Sequence, residues 1–313
     1  MFEIKSYSDT DFASWNEFVE QSKNATFLFN RNYMDYHADR FVDKSLMIYR
    51  KGKLYALFPA NVNRENNIVY SHQGLTYGGL LLNTQATVSE VLTVFGMILQ
   101  YYKDIACNKM IYKPIPYIYS RYPAQEDLYA LFRFNAKVTG RNISSTILQM
   151  NKLSFIEARK SGIRKANKQA VKIVETDNYQ DFWGILNDNL KSRYGSQPVH
   201  SIDEINLLKT RFPDHIKHHV ALHEGKVIAG CVMYLCHPVV HTQYISANEE
   251  GKNLGALDLL FYELINNVYS NVPFFDFGQS TGQMGNYLNE TLIFQKEGFG
   301  GRGVVYDIYE LDV

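Results

Sequence analysis

Gly278-Gln279-Ser280-Thr281-Gly282 is a G-x-S-x-G run that follows the apolar stretch PFFDFG and precedes a helix-like one. That is the setting of a nucleophile elbow, in which a strained strand-to-helix turn lifts a serine hydroxyl clear of its sheet. The serine also needs a histidine to take its proton and an acid to orient that histidine, and in the elbow fold both follow it in the chain. The last histidine is His241, so the order of residues argues against a hydrolase. His215, His218, His219 and His223 fall close together. Zinc asks for a carboxylate or a further imidazole at fixed reach. His219 and His223 lie in HHVALHEGKVIAG, which reads as strand and turn, so the group is expected to straddle a loop rather than to hold a metal.

A third set of residues is basic. In ARKSGIRKANKQAVKI, Lys160, Arg164, Lys168 and Lys172 recur every four residues while Ile156, Ile163 and Ala166 can turn to a core. One cationic helix face results, suited either to pyrophosphate or a nucleic-acid backbone, or simply to solvent. In the first half, SHQGLTYGG brings His72, Gln73 and Tyr77 onto a glycine turn, and YKPIPYIYSRY alternates Lys113 and Arg121 with tyrosines. Ring stacking combined with phosphate charge suits a nucleotide-linked sugar, against the alternative that these are strand-end residues satisfying loops.

The bulk composition limits the classes available. A chain of 313 residues is about twice the usual domain length, so two domains and a sizeable core are expected. The 46% hydrophobic and 20% charged shares are those of a globular protein, with 23 Tyr and 19 Phe to build cores or line clefts. Lys plus Arg equals Asp plus Glu at 32 each, so any anion site must be local. MFEIKSYSDTDF has no basic-then-apolar signal pattern and no stretch is apolar enough to span a bilayer, so a soluble cytoplasmic protein is expected. Cys107, Cys231 and Cys236 form no C-x-x-C pair and predict reduced thiols.

The elements that must position these residues alternate between helix and strand. In the first half, NRNYMDYHADRF offers an Asn cap and a short helix, and SLMIYRKGKLYALFPANVN a hairpin around Lys51-Gly52-Lys53. A strand in NIVYSHQGLTYGGLLL, a helix in VSEVLTVFGMILQYYKDIA and a strand in NKMIYKPIPYIY follow. The second half predicts helices over 152–170 and near 179–191, then strands turning at Glu224-Gly225 and His237-Pro238. The helix GALDLLFYELINNVY, the strand PFFDFG, a helix around 286–296 and the strand GVVYDIYELDV complete it. This predicts an α/β protein with mixed sheets, divided into residues 1–148 and 149–313.

In order and spacing, ARKSGIRKANKQAVKI, LKSRYGSQPVHSIDEINLLKTRFP, ALHEGKVIAGCVMY and FDFG followed by FQKEGFGG resemble the GNAT acyltransferase superfamily, and within it the tandem-GNAT, Fem-like group that builds peptidoglycan bridges. The resemblance covers most of the chain and implies two tandem GNAT-like domains, the first on the acceptor side and the second holding donor and catalytic cleft. It also makes Gly278–Gly282 a strand-end turn at an acyl-transfer cleft.

Acyl transfer to an amine needs a neutral amine, donors aimed at the developing oxyanion and an acid for the leaving group. By the resemblance, Lys296 stabilises charge in the transition state, with Asp276 and Tyr287 as candidates for proton transfer. A coenzyme A pyrophosphate would rest on NEEGKNLGALDLL through Gly251, Lys252 and Gly255, where the family's Arg/Gln-x-x-Gly-x-Gly/Ala run is reduced to Lys252-x-x-Gly255-Ala256 beside Glu249 and Glu250. His37 or Arg40 stands where Fem-like proteins carry a basic residue on a first-domain helix. Arg193, Tyr194 and His200 match a basic-aromatic segment of the second domain. The function implied is N-acyl transfer, from acyl-coenzyme A or aminoacyl-tRNA and without a metal, to the amine of a small-molecule or nucleotide-linked cell-envelope precursor. The alternative is a non-catalytic ligand-binding module on a degenerate GNAT fold.

Overall fold

The computed structural model describes residues 1–313, apart from the side chains of Arg193 and Tyr194. The chain forms two compact units. The first comprises Met1–Ile143, Thr281–Tyr287 and Val305–Val313, and the second Ser144–Ser280 and Leu288–Val304. The sequence places its division at 148/149; the chain instead first crosses at 143/144, inside a strand, and the first unit takes back two later segments.

The first unit opens with β1 (Phe2–Ser6), α1 (Phe12–Gln21) and α2 (Arg31–Met34). Five short strands follow: β2 (Val42–Asp43), β3 (Leu46–Arg50), β4 (Lys53–Phe58), β5 (Asn61–Asn63) and β6 (Ile68–Tyr70). Then come β7 (Leu81–Leu82), α3 (Val88–Asp104), β8 (Lys109–Tyr112), α4 (Glu126–Arg133) and β9 (Lys137–Leu148), which carries the chain out of the unit. Strands β1, β3, β4 and β7 pair in that order, all antiparallel. A second run pairs β2 with β5, β5 with β6 and, in parallel, β6 with β8. On α3, Val91, Val94, Phe95, Ile98 and Tyr102 recur at helical spacing and are fully buried. They pack with Leu46, Ile48, Phe58 and Tyr112 of the strands.

The second unit holds α5 (Glu157–Lys168), β10 (Lys172–Glu175), α6 (Gln180–Tyr194) and α7 (Ile202–Arg211). Three long strands follow, β11 (Ile216–His223), β12 (Lys226–Cys236) and β13 (Val239–Ala247), then α8 (Glu249–Leu254) and α9 (Ala256–Glu263). Next is β14 (Phe274–Gln279), and the excursion into the first unit carries β15 (Thr281–Gly282) and β16 (Tyr287–Leu288). The chain ends on α10 (Glu290–Glu297) and β17 (Arg302–Asp312), whose last residues are back in the first unit and pair there with β8.

Its strands run β10-β11-β12-β13-β14-β9, and only β13 and β14 are parallel. One face of this sheet packs Leu260, Phe261, Leu264 and Ile265 against Cys231, Met233 and Phe275. Against the other lies α6, whose Phe182 would collide with a Cβ at Gly230, 2.7 Å away, so the glycine admits the helix. Phe261, Phe277 and Phe299 form an edge-on and stacked aromatic group with centroids 5.1–5.6 Å apart. Each such buried ring contributes about 1.5–3 kcal/mol.

Candidate active site

Strands β13 and β14 run side by side for three residue pairs and then part. Val239, Val240 and His241 face Phe274, Phe275 and Asp276. Beyond them β13 stays with β12 as far as Ala247. β14 passes a register break and rejoins β9 at Gln279 opposite Ser144. Gly278 occupies the break with φ +75°, where a Cβ would be strained and would stand 3.1 Å from His241 Cε1. The carbonyls of Gly278 and Gln279 each accept a hydrogen bond of 2.8 Å from Lys296 Nζ.

Lys296 comes from the last turn of α10. That helix starts at Asn289, whose side chain accepts from Leu292 N at 3.0 Å and whose own N–H bonds the Ser280 carbonyl at 2.9 Å, tying α10 to the end of β14. The lysine is 5% exposed. Burial pulls its ammonium down to about 8, against the nearby Asp276 carboxylate, which pulls the other way. The glycines that follow Lys296 are dictated by packing: Gly300 has φ +92° and lies against Leu153, and a Cβ on Gly301 would stand 3.0 Å from Ser145 Cβ.

Asp276 is fully buried. It accepts from Ser144 Oγ at 2.5 Å, Thr146 Oγ1 at 2.6 Å and His241 Nδ1 at 2.7 Å. Burial alone would raise its pKa, but the hydrogen bond from His241, the charge of that ring when it is protonated, and the two hydroxyls outweigh it and hold the carboxyl below its usual range. The strand-end acid expected to move a proton is thus enclosed and engaged, and it anchors His241 instead. Tyr287, the other proton-transfer candidate, is 54% exposed on β16. Ser280 leads into β15 rather than a helix, and among the described residues its buried hydroxyl has no hydrogen-bond partner, so G-x-S-x-G is not an elbow here.

Where β13 and β14 part, a cavity of about 430 Å³ opens between Ile245–Ala247, Phe277, and residues of α6, α9 and α10. Lys296 and Lys252 both line it. Lys252 is paired with Glu249 at 2.5 Å, and Glu250 with His223 at 2.6 Å. The loop glycines have structural duties. Gly251 N is capped by Asn248 Oδ1 at 2.8 Å, and a Cβ there would meet the Ile228 carbonyl oxygen at 2.2 Å. Gly255 ends α8 with φ +73°, its Cβ position 2.5 Å from the Gly162 carbonyl oxygen.

The basic helix carries Lys160, Arg164 and Lys168 exposed on α5, with Arg164 bonded to Glu157, while Ile163 and Ala166 pack inward. Lys172 does not continue the stripe. The chain reverses through Ala170 at φ +54°, and Lys172 lies on β10. His200 is buried with Nδ1 2.6 Å from Tyr244 Oη. Arg193 and Tyr194 have side chains outside the described residues. Of the four clustered histidines, His218, His219 and His223 spread along β11 and His215 lies just before it. His218 stacks on Tyr179 at 4.5 Å and His219 Nε2 lies 2.9 Å from Tyr269 Oη, while His215 Nδ1 lies 2.8 Å from the Leu235 carbonyl.

In the first unit, His37 and His72 stack at 5.4 Å beside Gly74, and Lys113 Nζ bonds the Leu75 carbonyl. Burial lowers all three: His37 below its usual range, His72 to about 3 and Lys113 to about 8. Gln73 exchanges two hydrogen bonds of 2.7 Å with Asn61. Arg40 lies over Tyr36, Tyr77 enters the core beside Tyr119, and Arg121 donates to the Glu20 carbonyl at 2.6 Å.

Sequence reasoning did not single out His241, Ser144, Thr146 or the three phenylalanines as site residues. His241 and Asp276 are 35 positions apart. Only the parallel register of two strands joins them, and no local spacing signals it.

No protein-family model and no curated protein matches the chain. Solved structures do. The structure of FemX superposes with a TM-score of 0.70 at 10% identity, covering 97% of this chain and 96% of that one. L-PGS from Bacillus licheniformis gives 0.60 at 10% identity over 96% and 91%. A tandem GNAT protein from the clavulanic acid biosynthesis pathway gives 0.52 at 9% identity over 100% and 98%. This chain therefore has the tandem-GNAT, Fem-like fold, with mixed α/β architecture throughout.

Proposed function

We propose that the protein is an N-acyltransferase, moving an acyl group from coenzyme A or an aminoacyl group from tRNA to the amine of a cell-envelope sugar or peptide precursor. The observation that carries this reading is the buried Lys296, fixed by two strand carbonyls at the cavity that opens where β13 and β14 part. The amine nitrogen attacks the carbonyl carbon of the donor ester or thioester. A base takes the amine's proton and passes it to the departing sulfur or oxygen as the old bond breaks; we assign that role to His241, which is held by Asp276 and lies beside Gly278, the residue whose carbonyl binds Lys296. The Lys296 ammonium steadies the negative charge that develops on the way. Arg164 and Lys168, exposed on α5, are the groups assigned to phosphate-bearing substrate.

The test is a panel of coenzyme A thioesters and charged tRNAs offered with amino-sugar nucleotides and peptide precursors. Absence of transfer from every donor would remove this reading. One observation favours the second reading, a ligand-binding module: Lys252 is paired with Glu249, and both loop glycines are accounted for by packing. Thermal stabilisation by a nucleotide sugar, without transfer from any donor, is the outcome that selects it.

A further inference from the structure

The lining of the cavity discriminates between the two donor chemistries. Its walls are Leu190, Ile245, Leu257, Phe261, Phe277 and Phe299, with a few neutral polar groups among them. None of the described residues lining it is Asp or Glu, and the ionisable ones are Lys252 and Lys296. An aminoacyl ester carries an α-ammonium. Entering this space, that cation sheds its water and finds no carboxylate in the lining, where the cations are Lys296 and Lys252, the latter already paired with Glu249. An apolar chain gains from the same walls.

We propose that the acyl group this cavity takes is uncharged and apolar, with no α-ammonium. A space of about 430 Å³ has room for an acyl chain well beyond acetyl. The inference rests on the reading of the cavity as the donor's acyl site.

The experiment measures binding rather than turnover. Calorimetric titration at pH 6, where an α-ammonium is protonated, compares three N-acetylcysteamine thioesters: decanoyl, acetyl and 2-aminodecanoyl. The decanoyl thioester is expected to bind at least tenfold tighter than either of the others. Gln295→Glu places a carboxylate on the half-buried face of α10 that lines the cavity, and is expected to shrink or reverse the penalty on the amino compound. Leu257→Trp fills the space, and is expected to weaken decanoyl binding at least tenfold while leaving the acetyl compound unchanged.

Equal or tighter binding of 2-aminodecanoyl, no binding of decanoyl, or a Gln295→Glu variant with the selectivity unchanged overturns the proposal. Should Leu257→Trp not fold, Gln295→Glu alone decides. Decanoyl-selective binding in a protein that transfers from no donor would remove the transferase reading and leave the cavity's preference standing. Transfer from an aminoacyl donor without apolar selectivity would do the reverse.

Discussion

Replacing Lys296 by Met separates catalysis from stability, and the structure says by how much. An ammonium whose pKa falls from 10.5 to about 8 on burial is held at a cost of roughly 3 kcal/mol below pH 8, taking about 2.5 units at 1.36 kcal/mol each. Met removes that cost but leaves the carbonyls of Gly278 and Gln279 without their donor, at about 1–3 kcal/mol apiece. The two effects are of similar size and opposite sign, so Tm at pH 7 is expected to move by only a few degrees. Turnover is not buffered in this way. Loss of one preorganised charge at a developing oxyanion costs about 10²–10³ in kcat. In the wild type the charge disappears as pH rises, so kcat is expected to fall through about pH 8. Lys296→Arg, always cationic, is expected to lose that basic limb while keeping part of the rate. Stability runs the other way: between pH 8 and 10.5 the unfolded lysine binds more protons than the folded one, so this residue's contribution to stability rises with pH. The assay is the pH profile of acyl transfer with the best donor and acceptor of the panel, beside thermal melts at the same pH values. Unchanged turnover in Lys296→Met, or a basic limb that persists in Lys296→Arg, would refute the reasoning.

Asp276→Asn removes the anion that fixes His241, and is expected to lower kcat by about 10²-fold or more with KM little changed, measured by steady-state kinetics. Ser144→Ala with Thr146→Val strips two hydroxyls from the same carboxylate. Because those bonds help to hold its pKa down, the stability they give is present above the unfolded value of ~4 and lost as pH falls below it, so the double variant is expected to melt lower at pH 7 than the wild type, with the gap closing towards pH 3. Gly251→Ala drives a methyl against the Ile228 carbonyl and is expected to cost about 1–3 kcal/mol in denaturant unfolding, whether or not a donor is bound. Arg164→Ala with Lys168→Ala is expected to weaken binding of a phosphate-bearing substrate more at low salt than at high salt; salt-independent affinity would return α5 to a solvated face.

What the sequence made legible was periodicity and punctuation. The α3 helix, the β3–β4 hairpin at Lys51-Gly52, the β11–β12 turn at Glu224-Gly225 and the Asn30 cap were readable because each is written in neighbouring residues. The order of elements carried the resemblance to the GNAT fold without any strict signature. Lys172 misled for the same reason: four-residue spacing continues past the end of a helix that Ala170 has already terminated. Asp276 was visible as an acid at a strand end, but its enclosure depends on hydroxyls from β9, about 130 residues away. Gly251 and Gly255 read as a phosphate loop from sequence, which does not show that each also makes room for a neighbouring carbonyl.

The pairing of β17 with β8 joins residues about 200 positions apart, as Lys109 and Glu310 illustrate. On a ribosome adding ~5–20 residues per second, β8 waits about 10–40 s for its second neighbour. During that interval Met110 and Tyr112 sit on an open strand edge, able to pair with any other nascent chain nearby. Vectorial synthesis therefore leaves the first-made unit to be finished last. Removal of only the final dozen residues would leave it unfinished, and such a truncation is expected to aggregate although it keeps every site residue named above.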